Sequence, residues 1–246
     1  MPTQTSTTDK WTEIEHLPEW DEEFYEVYTA KKFGKWVMMK TLKPELKEIP
    51  EYQAMLEREF EVRYNLAHSH IIMINDLEDV PGVGRCIITD DVYGDSLAKL
   101  IDKNEVTPDI VDKIAHDLVS AIDYVQTNHI VHSPIRCETV IFTEKIRNLK
   151  VIDVGFDQKN ELAMADISDD IRAFGKVLSA ALDACPERNV KYRAIADKCL
   201  SPSPYTSIGQ LQMSIAGSSY KKFYISVITF LIFVIAILSL IIIFHP

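Results

Sequence analysis

The residues best placed to do chemistry lie in 129–156, HIVHSPIRCETVIFTEKIRNLKVIDVGF. Two apolar runs, Val140–Phe142 and Leu149–Ile152, flank a charged connector and are predicted as a pair of buried strands. His132 and Arg136 precede the first run and Asp153 follows the second, and all three are poorly suited to a core. Asp153-Val154-Gly155 sets a carboxylate at a strand end, with a glycine that lets the chain turn sharply. Strand ends of this kind are where α/β proteins place ligand chemistry. The same residues also fit an ordinary hairpin with a solvated turn.

Around this stretch the chain divides into a strand-rich first part and a helical second part. Residues 1–15 are rich in Thr, Ser and charge and are expected to form a loose lead-in. Residues 24–42 split into two strands around the turn signal Phe33-Gly34-Lys35. A helix is predicted from Glu51 to Ala67, with Met55, Phe60, Val62 and Leu66 recurring unevenly as its apolar positions. Strands at Ile71–Asp76 and Arg85–Thr89 follow, with Pro81-Gly82 turning between them. A short helix opens at Ser96. Thr107-Pro108 starts a longer one that runs to Thr127, with Ile110, Ile114, Leu118, Ile122 and Val125 on one face. Further helices are predicted near Asp169–Leu182, Val190–Cys199 and Ile208–Ile215, with a break at Ser201–Pro204.

Composition narrows the function classes. The 246 residues allow one large domain or two small ones. A net charge of −11 argues against nucleic acid as a main partner, because phosphate binding needs concentrated Lys and Arg. Cys86, Cys137, Cys185 and Cys199 have no CxxC spacing, so free thiols in a reducing cytosol are expected rather than a zinc site. The N-terminal residues do not read as a cleaved signal peptide.

The stretch 129–156 resembles the catalytic loop and metal-binding strand of a eukaryotic-type protein kinase, whose signatures are H-R-D-L-x-x-x-N and D-F-G. His132-Ser133-Pro134 stands where His-Arg-Asp belongs, Arg136 at the usual Lys, Glu138 at a retained Glu, Thr139 at the Asn, and Asp153-Val154-Gly155 at Asp-Phe-Gly. Val37-Met38-Met39-Lys40 is similar to V-A-I-K, which implies that Lys40 would grip nucleotide phosphates. Arg58-Glu59-Phe60 and His68–Ile72 resemble helix C and its exit, making Glu59 the expected partner of Lys40. Thr89-Asp90-Asp91-Val92 looks like the hinge that meets an adenine, and Asp170–Gly175 like the Asp-bearing start of the central helix of the large lobe. The resemblance covers residues 20–215.

The departures bear on activity. The three glycines of the phosphate loop fall at Trp20, Glu22 and Tyr25, and Asp21, Glu22 and Glu23 would repel phosphates. Met38 replaces the small Ala above the adenine ring and is expected to fill part of that space. The base position holds Pro134, which has no acceptor, and the metal-binding Asn position holds Thr139. Asp157 or Glu138 would have to swing in to act as a base, and neither sits at the motif position. Between Gly155 and Asp170 there is no A-P-E and no room for an ordinary activation segment.

Phe223–Phe244 is an uncharged apolar run. At about 1.5 Å per residue it would cross a hydrocarbon core of about 30 Å. Lys221-Lys222 before it would leave the preceding residues in the cytoplasm, as expected for a C-terminal tail anchor. The expected fold is α+β: a two-lobed protein kinase-like fold, with a small β-rich N-lobe and a helical C-lobe, plus one C-terminal transmembrane helix. The expected organisation is a lead-in 1–19, a kinase-like domain 20–216 dividing at 92/93, a linker 217–222 and a membrane helix 223–244. The expected function is a membrane-anchored pseudokinase that binds another signalling protein, with phosphoryl transfer lost and the bilayer contacted through residues 223–244. Lys40, Glu59 and Asp153 would hold ATP if it binds, with Asp153 on Mg, and that binding is expected to be weak or absent. An atypical active kinase and an ATP sensor are the alternatives.

Overall fold

The computed structural model describes residues 10–131, 135–152, 157–217 and 228. His132–Pro134, Asp153–Phe156 and, apart from Ile228, the predicted membrane segment 223–244 lie outside the described residues. Among the described residues no helix is long and apolar enough to cross a membrane.

The small lobe is one antiparallel sheet. It contains β1 (Trp11–His16), β2 (Tyr25–Lys32), β3 (Lys35–Leu42), β4 (Ile74–Val80) and β5 (Gly84–Asp90) in the order β1-β2-β3-β5-β4. Helix α1 (Pro50–Tyr64) is inserted between β3 and β4. The β2–β3 hairpin turns where the sequence indicates, with Phe33 and Gly34 both at positive φ (51° and 82°). Side chains alternate along β3 and β5. Val37, Met39, Cys86 and Ile88 fill a cluster on one face of the sheet, and Ile87 joins Tyr25, Leu42 and Leu56 of α1 on the other. That alternation turns Met38 and Lys40 towards the second face.

Three expectations are corrected here. Residues 11–16 are not a loose lead-in but the edge strand β1, paired with β2 and pinned by Lys10 and Lys32 around Glu78. Their sequence, WTEIEH, has too few apolar residues to signal a strand, because an edge strand is held by backbone pairing with little burial. Helix α1 buries Leu56, Glu59 and Arg63 most deeply; of the predicted apolar set Met55, Phe60 and Val62 are only partly buried against the cores, and Leu66 is buried just past the helix end. The uneven periodicity has a physical cause: two charged residues, Glu59 and Arg63, share its inward face with Leu56. Strand β4 also lies later than predicted, because residues 70–72 join the large lobe instead. Ile72 N–H donates to Val151 O and Val151 N–H to His70 O.

The large lobe begins at β6 (Gly94–Ser96) and α2 (Leu97–Asp102), which Ser96 caps by accepting from Lys99 N–H. Helix α3 (Pro108–Lys113) is capped by Thr107 and runs through a π-helical turn at Ile114–Leu118 into α4 (Val119–Thr127). All five residues of its predicted face are buried. Then come β7 (Ile130–Val131), β8 (Val140–Thr143), β9 (Leu149–Val151), β10 (Asp157–Gln158), α5 (Met164–Ala184) and α6 (Val190–Leu200). Residues 208–217 are also helical. Strands β8 and β9 pair antiparallel, as the apolar runs indicate, and β6 adds to the other edge of β8. Gly94 is required there, since a Cβ would lie 2.0 Å from the Phe142 carbonyl oxygen. Phe142, Phe174, Ile114 and Leu118 centre the one large core that joins these elements.

Candidate functional site

A cleft of about 440 Å³ separates the lobes. Its roof is the 20–22 turn with Val27, Met38 and Lys40; its floor includes Ser96, Lys99, Arg136, Glu138 and Thr139. Strand β3 supplies Lys40 and helix α1 supplies Glu59, and the two meet as expected: Lys40 Nζ donates to Glu59 Oε1 at 3.1 Å. Glu59 is fully buried and also accepts from Arg63 Nη1 at 2.7 Å, one helical turn on. Arg63 in turn donates to the backbone oxygen of Ile152, at the end of β9, at 3.2 Å. Burial alone would raise the pKa of Glu59, but the charges of Lys40 and Arg63 outweigh it and hold the carboxyl below its ordinary value. Glu59 therefore stays ionised. The Lys40 ammonium also lies 4.2 Å from the ring centre of Tyr25, whose phenol is held well above its usual pKa by burial and by the neighbouring Glu59.

The turn over this pair is closed on itself. Trp20 N–H donates to Leu17 O, Asp21 N–H to Pro18 O and Glu22 N–H to Tyr25 O. Asp21 accepts from Val27 N–H at 3.0 Å and from His16 Nε2 at 3.0 Å. The backbone N–H groups of Trp20, Asp21 and Glu22 are thus committed to the protein's own acceptors. Glu22 projects from this turn onto Lys40, with Oε2 2.7 Å from Nζ.

On the opposite wall Thr139 is buried and accepts Arg136 N–H at 3.1 Å, while its hydroxyl donates to Arg136 O at 3.1 Å. Its only proton and one of its lone pairs serve the loop. Arg136 and Glu138 are exposed at the mouth of the cleft. Pro134 and Asp153 lie outside the described residues. Met38 lines the cleft beside Thr89, in register with it across β3 and β5. Asp90 of the expected hinge is held by Lys35 and Asn75 at 2.6 and 2.9 Å. Asp170 is in the second turn of α5 rather than at its start, where it accepts from Gln126 at 2.7 Å. The passage from β10 to α5 is only residues 159–163.

Mg-ATP is the cofactor that the arrangement brings to mind, and its polyphosphate does not fit these residues. The N–H groups of Trp20, Asp21 and Glu22 are bonded within the turn, Lys40 already faces two carboxylates, and the Thr139 hydroxyl is turned into its own loop. Sequence reasoning brought together Lys40 and Glu59 and missed two others. Arg63 was legible as the i, i+4 partner of Glu59. The acidic run 21–23 was legible as hostile to phosphate, but not the contact of Glu22 with Lys40.

A family model described as "Protein kinase domain" matches residues 23–166. Serine/threonine-protein kinase 36 of Pongo abelii is 29% identical over 135 residues, which cover 54% of this chain and 10% of that protein. The probable casein kinase II subunit alpha homolog of Encephalitozoon cuniculi is 28% identical over 133 residues, 54% of this chain and 39% of that protein. The matched part is thus well under half the length of either relative. The crystal structure of the Mycobacterium tuberculosis PknI kinase domain superposes with a TM-score of 0.60 at 19% identity, covering 85% of this chain and 96% of that one. A second structure of the same domain gives 0.63 at 16%, covering 86% and 96%. These likenesses establish the two-lobed fold.

Proposed function

This chain belongs to the protein kinase domain family, and from that premise we propose that it is a pseudokinase: a kinase-fold binding module that has lost phosphoryl transfer and acts by engaging another signalling protein. The observation that carries the reading is the floor of the cleft. In the sequence the base position is Pro134, which has no side-chain acceptor, and among the described residues the hydroxyl of Thr139, at the metal-binding Asn position, is bonded to Arg136. A positioned general base contributes about 10²–10⁴ in rate, so its loss alone would remove most of the activity. Residues 223–244 would anchor the module in a membrane, with Lys221 and Lys222 keeping the kinase-like domain on the cytoplasmic side. The acidic net charge speaks for a protein partner rather than a nucleic acid.

The experiment is transfer of radiolabel from ATP by the purified chain, to itself and to generic substrates, with Lys40→Ala as control. No transfer is expected. Transfer that disappears in the control would overturn the reading and favour an atypical serine/threonine kinase, the activity in the names of the matched relatives.

A further inference from the structure

Four charged side chains alternate in sign along the roof of the cleft: Arg63, Glu59, Lys40 and Glu22. The first three are nearly buried, at 4%, 0% and 12% side-chain exposure, and Glu22 closes the chain at 35%. Each cation meets a carboxylate, so these four charges, all among the described residues, balance one another. Glu22 is not a side chain that happens to reach across. Its backbone N–H is fixed to Tyr25 O at 3.0 Å, and the turn before it is tied down by Asp21 to Val27 and His16. A turn held at both ends presents its carboxylate to Lys40 with little ordering cost.

We propose that Glu22 is a resident anion, holding the Lys40 ammonium where a nucleotide phosphate would bind, so that the cleft discriminates against phosphate-bearing ligands in favour of an uncharged ring. The inference rests on the reading of the chain as a kinase fold without phosphoryl transfer. A phosphate entering beside Lys40 must displace Glu22 or share one ammonium with two carboxylates, and like charges at such distances repel strongly in a site partly shielded from water. An uncharged ring escapes this conflict, since the inner end of the cleft is lined by Val27, Met38, Ile72, Ile87 and Thr89.

The test measures binding of ATP, with and without Mg²⁺, and of adenosine to the detergent-solubilised full chain by calorimetry. It compares wild type, Glu22→Gln and the double variant Glu22→Gln/Lys40→Ala, with circular dichroism to confirm that each is folded. Wild type is expected to bind adenosine more tightly than ATP. Glu22→Gln should strengthen ATP binding by roughly tenfold or more, the scale of one removed charge at a partly exposed site, and leave adenosine within about twofold. Adding Lys40→Ala should abolish the gain. Unchanged ATP affinity in Glu22→Gln, an equal gain for both ligands, a gain that survives loss of Lys40, or no binding of either ligand to any variant would each overturn the proposal. Label transfer by wild type is a separate readout. It would sink the pseudokinase reading without altering the binding comparison.

Discussion

The roof and the floor of the cleft face the same space but are held by different interactions. On the roof, Lys40 and Glu59 keep the pairing of a working kinase, and Arg63 strengthens it by a second charged hydrogen bond to the same oxygen. On the floor, the positions that would do chemistry hold Pro134 and Thr139, and the latter is bonded to its own loop. Charge accounts for the difference. Removing one member of a buried charge network leaves its partners unpaired in a poor solvent, so the network is held for structural reasons whether or not it serves chemistry. Thr139 is buried too, but it is neutral and its hydroxyl is satisfied within its own loop. Retention of the Lys40–Glu59 pair is therefore weak testimony for catalysis, and the floor is the better witness.

The largest effect should come from the roof. Glu59→Ala takes the buried carboxylate away from Arg63 and one of two from Lys40, and is expected to cost about 3–5 kcal/mol, read as a fall in unfolding midpoint in urea. The same residue gives the comparison a pH signature. Its folded pKa lies below the unfolded value, so its contribution is fully present above the ordinary Glu range, near pH 4.5. That contribution is lost as pH falls through the depressed folded value. Wild type should lose stability across that acid window, and Glu59→Gln should show a flatter profile there. Parallel profiles would mean that the roof charges are not the structural element argued here.

A smaller effect is expected on the floor. Thr139→Val keeps the shape and removes a hydroxyl that makes two bonds with Arg136, so the loss should be about 1–2 kcal/mol by chemical denaturation. A loss as large as that of Glu59→Ala would erase the contrast between the two walls.

Much of this architecture was readable from residue order. The turn at Phe33-Gly34, the Thr107-Pro108 helix start, the apolar face from Ile110 to Val125 and the paired runs at 140–142 and 149–151 all follow from local rules: conformational freedom at positive φ, capping, and hydrophobic period. The pairing of Lys40 with Glu59 came from the resemblance of Val37–Lys40 and Arg58–Phe60 to kinase motifs rather than from local rules. Edge strand β1 escaped, since what holds it is backbone pairing to a strand further along the chain. The charged face of α1 escaped as well, because whether Arg63 points to solvent or into the lobe depends on the carbonyl of Ile152, which comes much later in sequence. The contact of Glu22 with Lys40 belongs to the same class. Local preference is written in neighbouring residues, but the partner of a charge is chosen by which distant segments the fold brings within reach, and only the folded chain makes that choice.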